Sequence, residues 1–222
     1  MTTEAKERPI LFSGVMVRAL LAGRKTQTRR VVKPQPHEDP TWNGGAAIQS
    51  KTGKLAVGSV PYYQGVLRNY CPYGQPGDRL WVRETFQPLW VNDHPGDYKT
   101  GEGYRINYVA TDGIAEFADP ETEELSNRCW PSIFMPRWAS RLTLEIVSVR
   151  VERLQDISEF DAIKEGVAPC DHNGFCTDDH TCSYKSLWNT LNAARGFGWD
   201  VNPWVWVLEF KQLSREGAKE AK

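Results

Sequence analysis

The chain has 222 residues with 27 Lys and Arg against 28 Asp and Glu, so its formal net charge is -1. This near-neutral total argues against a protein that coats long duplex DNA, and a mean hydropathy of -0.53 argues against a membrane span. Met1 to Arg8 lacks the apolar segment of a secretion signal, and the odd count of five Cys favours reduced thiols. These features predict a cytoplasmic protein.

The first third of the chain predicts a helix, a strand and then a long insertion. Ser13 is expected to cap a helix over Met16 to Ala22, and Gly23 is expected to end it. Arg29 to Lys33 has the pattern of a short strand. Residues 40–76 are rich in Gly, Pro, Asn and Tyr, which indicates a loop insertion with a hairpin near Gly53.

The middle of the chain predicts three strands separated by surface insertions. Two of them are Arg79 to Glu84 and Tyr104 to Val109, and residues 88–137 hold the insertions, including an acidic block around Pro120. The longest strand signal runs from Leu142 to Val151. Its apolar positions change phase at Ile146 and Val147, which predicts a bulge or a bend between two sheet faces.

The last third predicts two helices and a central strand. Asp156 or Ser158 is expected to cap a short helix that Gly166 closes, and residues 168–183 are a further insertion. Tyr184 to Ala194 has helical spacing, and Trp204 to Phe210 is apolar on both faces, as in a doubly covered strand. The whole chain, residues 1–222, is interpreted as one α+β domain with a small, bent β-barrel and flanking short helices.

The segment from Gly23 to Arg30 is the strongest candidate for chemistry. In an extended strand Thr28 and Arg30 share a face, and Lys25 joins them only if the chain turns directly after Gly23. That turn would place an amine, a hydroxyl and a guanidinium around one pocket suited to a nucleobase. A partly desolvated lysine beside Arg30 would hold its proton less tightly and could act as a base. The alternative interpretation is a solvated basic turn.

The pattern Gly23-x-Lys25-x-x-Thr28-x-Arg30 resembles the signature of the ASCH domain family, whose fold is a PUA-like β-barrel. The resemblance extends in the expected order over most of the chain. The other matching pieces are the helix Met16 to Ala22, the segment Gly77 to Glu84, the helix Ile157 to Val167 and the strand Trp204 to Phe210.

Thr at position 28, where many members of the family carry Glu, resembles the small amidohydrolases that remove the acyl group from N4-acetylcytidine. That resemblance implies a catalytic set of Lys25, Thr28 and Glu165, with Glu84 as the rival for the acidic member. It implies a nucleoside or nucleobase substrate and no cofactor. The chain is about twice as long as those enzymes and is similar to phage-encoded members. The alternative is a PUA-like module that binds an RNA base or a modified base without chemistry.

Further side chains could bind the substrate. Arg30 or backbone N–H groups could hold the oxyanion, and aromatic rings could stack on a base. The alternative for Glu165 is an exposed carboxylate near a helix end, and the alternative for Glu84, next to Arg83, is an ion-paired residue at a strand end. The candidates for substrate binding are Arg30, Glu84, Trp81, Arg83, Phe86, Tyr62 and Tyr63.

A segment rich in Cys and His is the candidate for a metal site. Three thiols and two imidazoles within thirteen positions could hold a structural zinc ion. The five-residue spacing of its cysteines is unlike the usual zinc knuckle, so a polar loop is the alternative. The signature of the zinc deaminases is absent. The five residues are Cys170, His172, Cys176, His180 and Cys182.

Overall fold

The computed structural model describes residues 5–38, 45–49, 55–59, 70–90, 97–118, 125–170 and 179–213. The chain divides into two compact units. The first comprises residues 1–23, 78–145 and 212–222, and the second comprises residues 24–77 and 146–211. None of the helices within the described ranges is long and apolar enough to cross a membrane.

Short strands outnumber helices in the described part of the chain. The strands are β1 (Glu7–Leu11), β2 (Gln27–Val31), β3 (His37–Glu38), β4 (Gly45–Gln49), β5 (Leu55–Ser59), β6 (Arg79–Arg83), β7 (Phe86–Trp90), β8 (Tyr104–Tyr108), β9 (Phe117–Ala118), β10 (Leu125–Ser126), β11 (Thr143–Arg153) and β12 (Trp204–Leu213). The α-helices are α1 (Gly14–Leu21), α2 (Val109–Asp112), α3 (Glu159–Lys164) and α4 (Asp179–Asn192).

Five strands form the main sheet in the order β1-β6-β11-β12-β2. β1 pairs parallel with β6, whereas β6 with β11 and β12 with β2 pair antiparallel. The α+β class predicted from the sequence is therefore confirmed. The described strands are not joined into a closed barrel, since β1 and β2 stand at the two edges of this order.

The first unit contains β1, β6 and the start of β11, and α1 follows β1 in the sequence. Leu80 and Val82 alternate into the core, as period-two strand geometry requires, and are at most 1% exposed. α1 spans Gly14–Leu21, close to the predicted helix, and buries Met16 and Val17. Ser13 occupies the predicted N-cap position but makes no side-chain cap hydrogen bond there.

A hairpin of β7 and β8 continues the first unit. It pairs Pro88 with Ile106 across the strands, so the region predicted as a surface insertion from Pro88 onward begins inside a strand. Phe86 lies in the core of this hairpin with Met135 and Ala139. Proline is unfavourable in a strand because it has no N–H to donate to the neighbouring strand. β7 tolerates Pro88 because it pairs with one described strand only, β8.

β11 confirms the predicted change of phase. Leu144 and Ile146 are buried on one side of the change, and Val149 and Val151 are buried on the other. Val147 sits at the change itself and is 52% exposed. The boundary between the two compact units falls one residue earlier, after residue 145. One continuous strand thus supplies core residues to both units.

The second unit packs α3 and α4 on β12, β2 and the end of β11. Its core contains Val205 and Val207 of β12 with Tyr184 and Trp188 of α4. Both faces of β12 are buried from Trp204 to Leu208, which confirms the predicted central strand. In the same unit β4 pairs antiparallel with β5, with Gln49 opposite Leu55, as expected for the predicted hairpin. The turn around Gly53 lies outside the described residues.

Candidate functional site

Lys25 is held in the interior of the second unit. Gly23 has φ of 69°, a left-handed conformation that suits glycine, and the chain turns there before Lys25. The next residue, Thr26, donates its N–H to the Lys164 carbonyl and accepts the N–H of Phe210. These bonds fix the segment between α3 and β12. Lys25 is only 2% exposed, so the alternative of a solvated basic turn is wrong for this residue.

The ammonium group of Lys25 points at three acceptors. Its Nζ donates to the carbonyl oxygens of Gln27 and Glu165 and to Glu165 Oε2, each at 2.8 Å. Three acceptors match the three N–H bonds of a charged lysine. Burial lowers the pKa of Lys25; the carboxylate of Glu165 opposes this, and the charges of Arg30 and Arg29 add to the lowering. Lys25 thus gives up its proton more easily than a surface lysine.

Glu165 follows the last residue of α3 as its C-cap. Ser158 caps the start of α3 by accepting the N–H of Asp161, as one of the two predicted caps. Gly166 then takes φ of 82° and ends the helix. The exposed carboxylate considered for Glu165 is wrong, because the residue is 3% exposed and paired with Lys25.

Arg29 is a member of this site that the sequence pattern did not identify. Its side chain is fully buried. Nη1 donates to Glu165 Oε1 at 3.2 Å, and Nη2 donates to Asp161 Oδ2 at 3.2 Å and to Glu152 Oε1. The guanidinium also lies over the ring of Tyr184, 5.9 Å from its centroid. A guanidinium with this many ionic partners keeps its charge in the interior.

The pair of Lys25 and Glu165 belongs to a larger cluster, here called the charge network. Arg150 extends it by donating to Glu152, Asp161 and Glu209 at 3.0 to 3.1 Å. Four cations face four anions, so the network is balanced, and balance is what makes buried charges tolerable. Its members are Lys25, Arg29, Arg150, Lys164, Glu152, Asp161, Glu165 and Glu209.

Thr28 lies on β2, opposite Leu208 of β12. It is 1% exposed, and within the described part of the chain its hydroxyl makes no hydrogen bond. Strand alternation places Thr28 and Arg30 on one face of β2 and Arg29 on the other. The structure therefore joins Lys25 directly to Glu165. Among the described hydrogen bonds, none links Lys25 to Thr28, which follows three residues later in the chain.

Two tyrosines accompany the charges. Burial raises the pKa of Tyr184 well above its ordinary value, and the charge of Glu165 adds to this while Arg29 and Arg30 oppose it. Burial also raises the pKa of Tyr73, against the charge of Arg30. Both phenols are therefore neutral donors at neutral pH. Arg30 is half-buried, and its charge lowers the pKa of Lys25 and of both tyrosines.

Four further predicted site residues, Trp81, Arg83, Glu84 and Phe86, lie in the first unit. Glu84 is 1% exposed, and both of its oxygens accept from Arg141, at 2.8 and 2.9 Å. Glu84 directly follows β6, and the alternative of an ion-paired residue at a strand end is confirmed for it, with Arg141 as the partner. Arg83 lies over the ring of Trp81, 4.6 Å from the centroid, and donates to the Ile133 carbonyl. Phe86 is fully buried and so presents no ring face to a ligand. Tyr62 and Tyr63 are outside the described residues.

The segment rich in Cys and His is described in part. His172 and Cys176 fall outside the described residues, and Cys170 and Cys182 are both partly buried. His180 directs its Nδ1 to Glu159 Oε1 at 2.7 Å. Within the described ranges no group of three or more His, Cys, Asp or Glu side chains is arranged to hold a metal ion.

Glu159, in α3, forms hydrogen bonds with the first residues of α4. Its oxygens accept the backbone N–H groups of His180 at 2.7 Å and Thr181 at 2.9 Å. Burial opposes ionisation, but these hydrogen bonds lower the pKa of Glu159 from 4.5 to about 2. A carboxyl group whose pKa is lower in the folded state contributes stability in full above its unfolded value and loses it as the pH falls.

We therefore expect the stability from this contact to be present above pH 4.5 and to disappear as the pH falls toward about 2. Urea unfolding of the wild type and Glu159→Gln at about pH 6 and about pH 3 measures this. The difference between the two proteins should be clear at the higher pH and should shrink at the lower one. An equal difference at both would contradict the role of the ionised carboxylate.

Comparison of the chain with protein-family models, with curated proteins and with solved structures gave no match.

Proposed function

We propose that this protein is a metal-independent amidohydrolase that removes acyl groups from N4-acylated cytosine or cytidine. The observation that carries the proposal is the fully buried contact of 2.8 Å between Lys25 Nζ and Glu165 Oε2, in the same segment as Thr28. We further propose that the fold is the PUA-like barrel of the ASCH domain family. The motif Gly23-x-Lys25-x-x-Thr28-x-Arg30 supports this.

The buried pair supplies both an acid and a base. Burial disfavours charge, so transfer of one proton from Lys25 to Glu165 leaves an amine and a carboxylic acid with no net change of charge. The amine of Lys25 then takes a proton from the attacking hydroxyl. The acid of Glu165 gives a proton to the departing N4 as the C–N bond breaks.

Thr28 provides the hydroxyl in this scheme. Either its oxygen attacks the acyl carbon and forms an ester that water then cleaves, or it orients the water that attacks. In both routes the C–N bond of the amide is replaced by a C–O bond, and the products are the free base or nucleoside and a carboxylic acid. Arg30 is placed on the same face of β2 as Thr28 and could hold the oxyanion. Glu84 is less suited to the acidic role, because Arg141 holds both of its oxygens.

A second candidate is a module that binds an RNA base or a modified base without chemistry. The observation that favours it is the full set of acceptors around Lys25, since a lysine bonded in this way can serve the fold alone. In this case the half-buried Arg30 would contact the ligand, and the Lys25 pair would only shape the site.

Chromatography of N4-acetylcytidine after incubation with the purified protein distinguishes the two candidates. The enzyme is expected to convert it to cytidine and acetate, with no loss of rate after treatment with a metal chelator. Longer N4-acyl compounds define the acyl range. No turnover of any of them, together with measurable binding of a short RNA, would reject the enzyme and support the binding module.

A further inference from the structure

Arg29 and Lys25 each donate a hydrogen bond to a different oxygen of the same carboxylate, that of Glu165. Glu165 Oε2 accepts from Lys25 Nζ at 2.8 Å, and Glu165 Oε1 accepts from Arg29 Nη1 at 3.2 Å. The motif that suggests the catalytic set leaves position 29 open, so it gives Arg29 no role. Both cations are buried, and each has Glu165 as an ionic partner.

Arg29 is itself held in a fixed place. Nε and Nη2 both donate to Glu152 Oε1, and Nη2 also donates to Asp161. Glu152 comes from β11 and Asp161 from α3, so two elements set the position of the guanidinium against Glu165. The planar fork of arginine suits this task, because its donors have fixed directions.

We propose that Arg29 is a positioning residue: it anchors one oxygen of Glu165 and competes with Lys25 for the charge of that carboxylate, so that Lys25 releases its proton more readily. The role in catalysis depends on the proposed amidohydrolase activity, but the effect on Lys25 does not. Within the described ranges, the charged groups that act on Lys25 include Glu165 from the end of α3 and Arg29 and Arg30 from β2.

The direction of the effect follows from the contacts. Burial is the main cause that lowers the pKa of Lys25, the charge of Glu165 raises it, and Arg29 lowers it. Without Arg29, its repulsion of the charge on Lys25 disappears, and so does its competition with Lys25 for Glu165. The carboxylate stays in reach, because Lys25 also bonds the carbonyl of Glu165. Loss of the Arg29 charge should therefore raise the pKa of Lys25.

The test compares Arg29→Gln and Arg29→Lys with the wild type. In Arg29→Gln one oxygen of Glu165 loses its anchor, so kcat should fall by on the order of tenfold with a smaller change in KM. Arg29→Lys keeps the charge and should restore most of the wild-type kcat. Arg150→Gln is the matched control, because Arg150 contacts Glu152 and Asp161 but is bonded to neither oxygen of Glu165.

A titration of Lys25 by NMR makes the test independent of activity. The protein is labelled with 15N-lysine, and the Lys25 signal is the one that Lys25→Ala removes. The Lys25 titration should move to higher pH in Arg29→Gln and move less in Arg150→Gln. If the wild type does not deacylate N4-acetylcytidine, the proposed function fails, but this titration still decides the role of Arg29.

Three results would overturn the inference. An unchanged Lys25 titration in Arg29→Gln would mean that Arg29 serves the fold alone. An equal shift in Arg150→Gln would mean a general effect of charge. A Lys25 shift in Arg29→Lys as large as that in Arg29→Gln would mean that the charge at position 29 does not act on Lys25.

Discussion

Replacement of Glu165 by Ala is expected to lower the free energy of unfolding by about 3–5 kcal/mol. The reason is that Lys25 and Arg29, both without exposed side-chain surface, each lose an ionic partner that water cannot replace. Urea unfolding followed by circular dichroism measures the change. The matched control is Asp200→Ala, because Asp200 pairs with Lys185 at 3.9 Å but is 91% exposed. That variant should differ little from the wild type, since exposed pairs add little stability.

A double variant separates the pair from the packing around it. Lys25→Met with Glu165→Leu replaces both charges by apolar side chains, so it should be more stable than Glu165→Ala alone. Recovery will be partial, because Arg29 still loses the bond to Glu165 Oε1. If Glu165→Ala has the stability of the wild type, the buried pair described for the second unit is not present in solution.

Thr28→Val is expected to lower kcat for N4-acetylcytidine by about 10³-fold with little loss of stability. The hydroxyl makes no hydrogen bond within the described part of the chain, so its removal breaks no hydrogen bond there. Val keeps the branched shape of Thr and its preference for strands. Loss of activity without loss of stability would therefore identify a chemical role for the hydroxyl.

Thr26→Val is the matched control for that variant. Thr26 precedes β2 in the same segment, and its side chain is exposed. The same exchange there should leave kcat within about twofold of the wild type, since a surface substitution of this kind has a small effect. If Thr28→Val and Thr26→Val have equal activity, the hydroxyl of Thr28 takes no part in the reaction.

Much of the second unit could be predicted because its sequence signals are local. The apolar faces of Trp204 to Phe210 and the change of phase in β11 are properties of neighbouring residues, and both were confirmed. The end of α3 was predictable for the same reason, since a cap at Ser158 and a glycine at position 166 frame it.

What could not be predicted depended on partners that are distant in the chain. Arg29 alternates away from Thr28 and Arg30 on β2, and its acidic partners come from residues 152, 161 and 165. No local pattern joins those positions. β1 was missed because it contains Pro9 and charged residues, which are typical of loops but are tolerated in an edge strand such as this one.

The most direct test of the proposed activity is the initial rate of N4-acetylcytidine loss, followed by ultraviolet absorbance at neutral pH. Wild type, Lys25→Ala and Arg24→Ala are compared, because Arg24 is an exposed cation next to Lys25. The proposed mechanism predicts that the wild type and Arg24→Ala convert the substrate at similar rates and that Lys25→Ala does not. No conversion by the wild type, or equal conversion by folded Lys25→Ala, would contradict it.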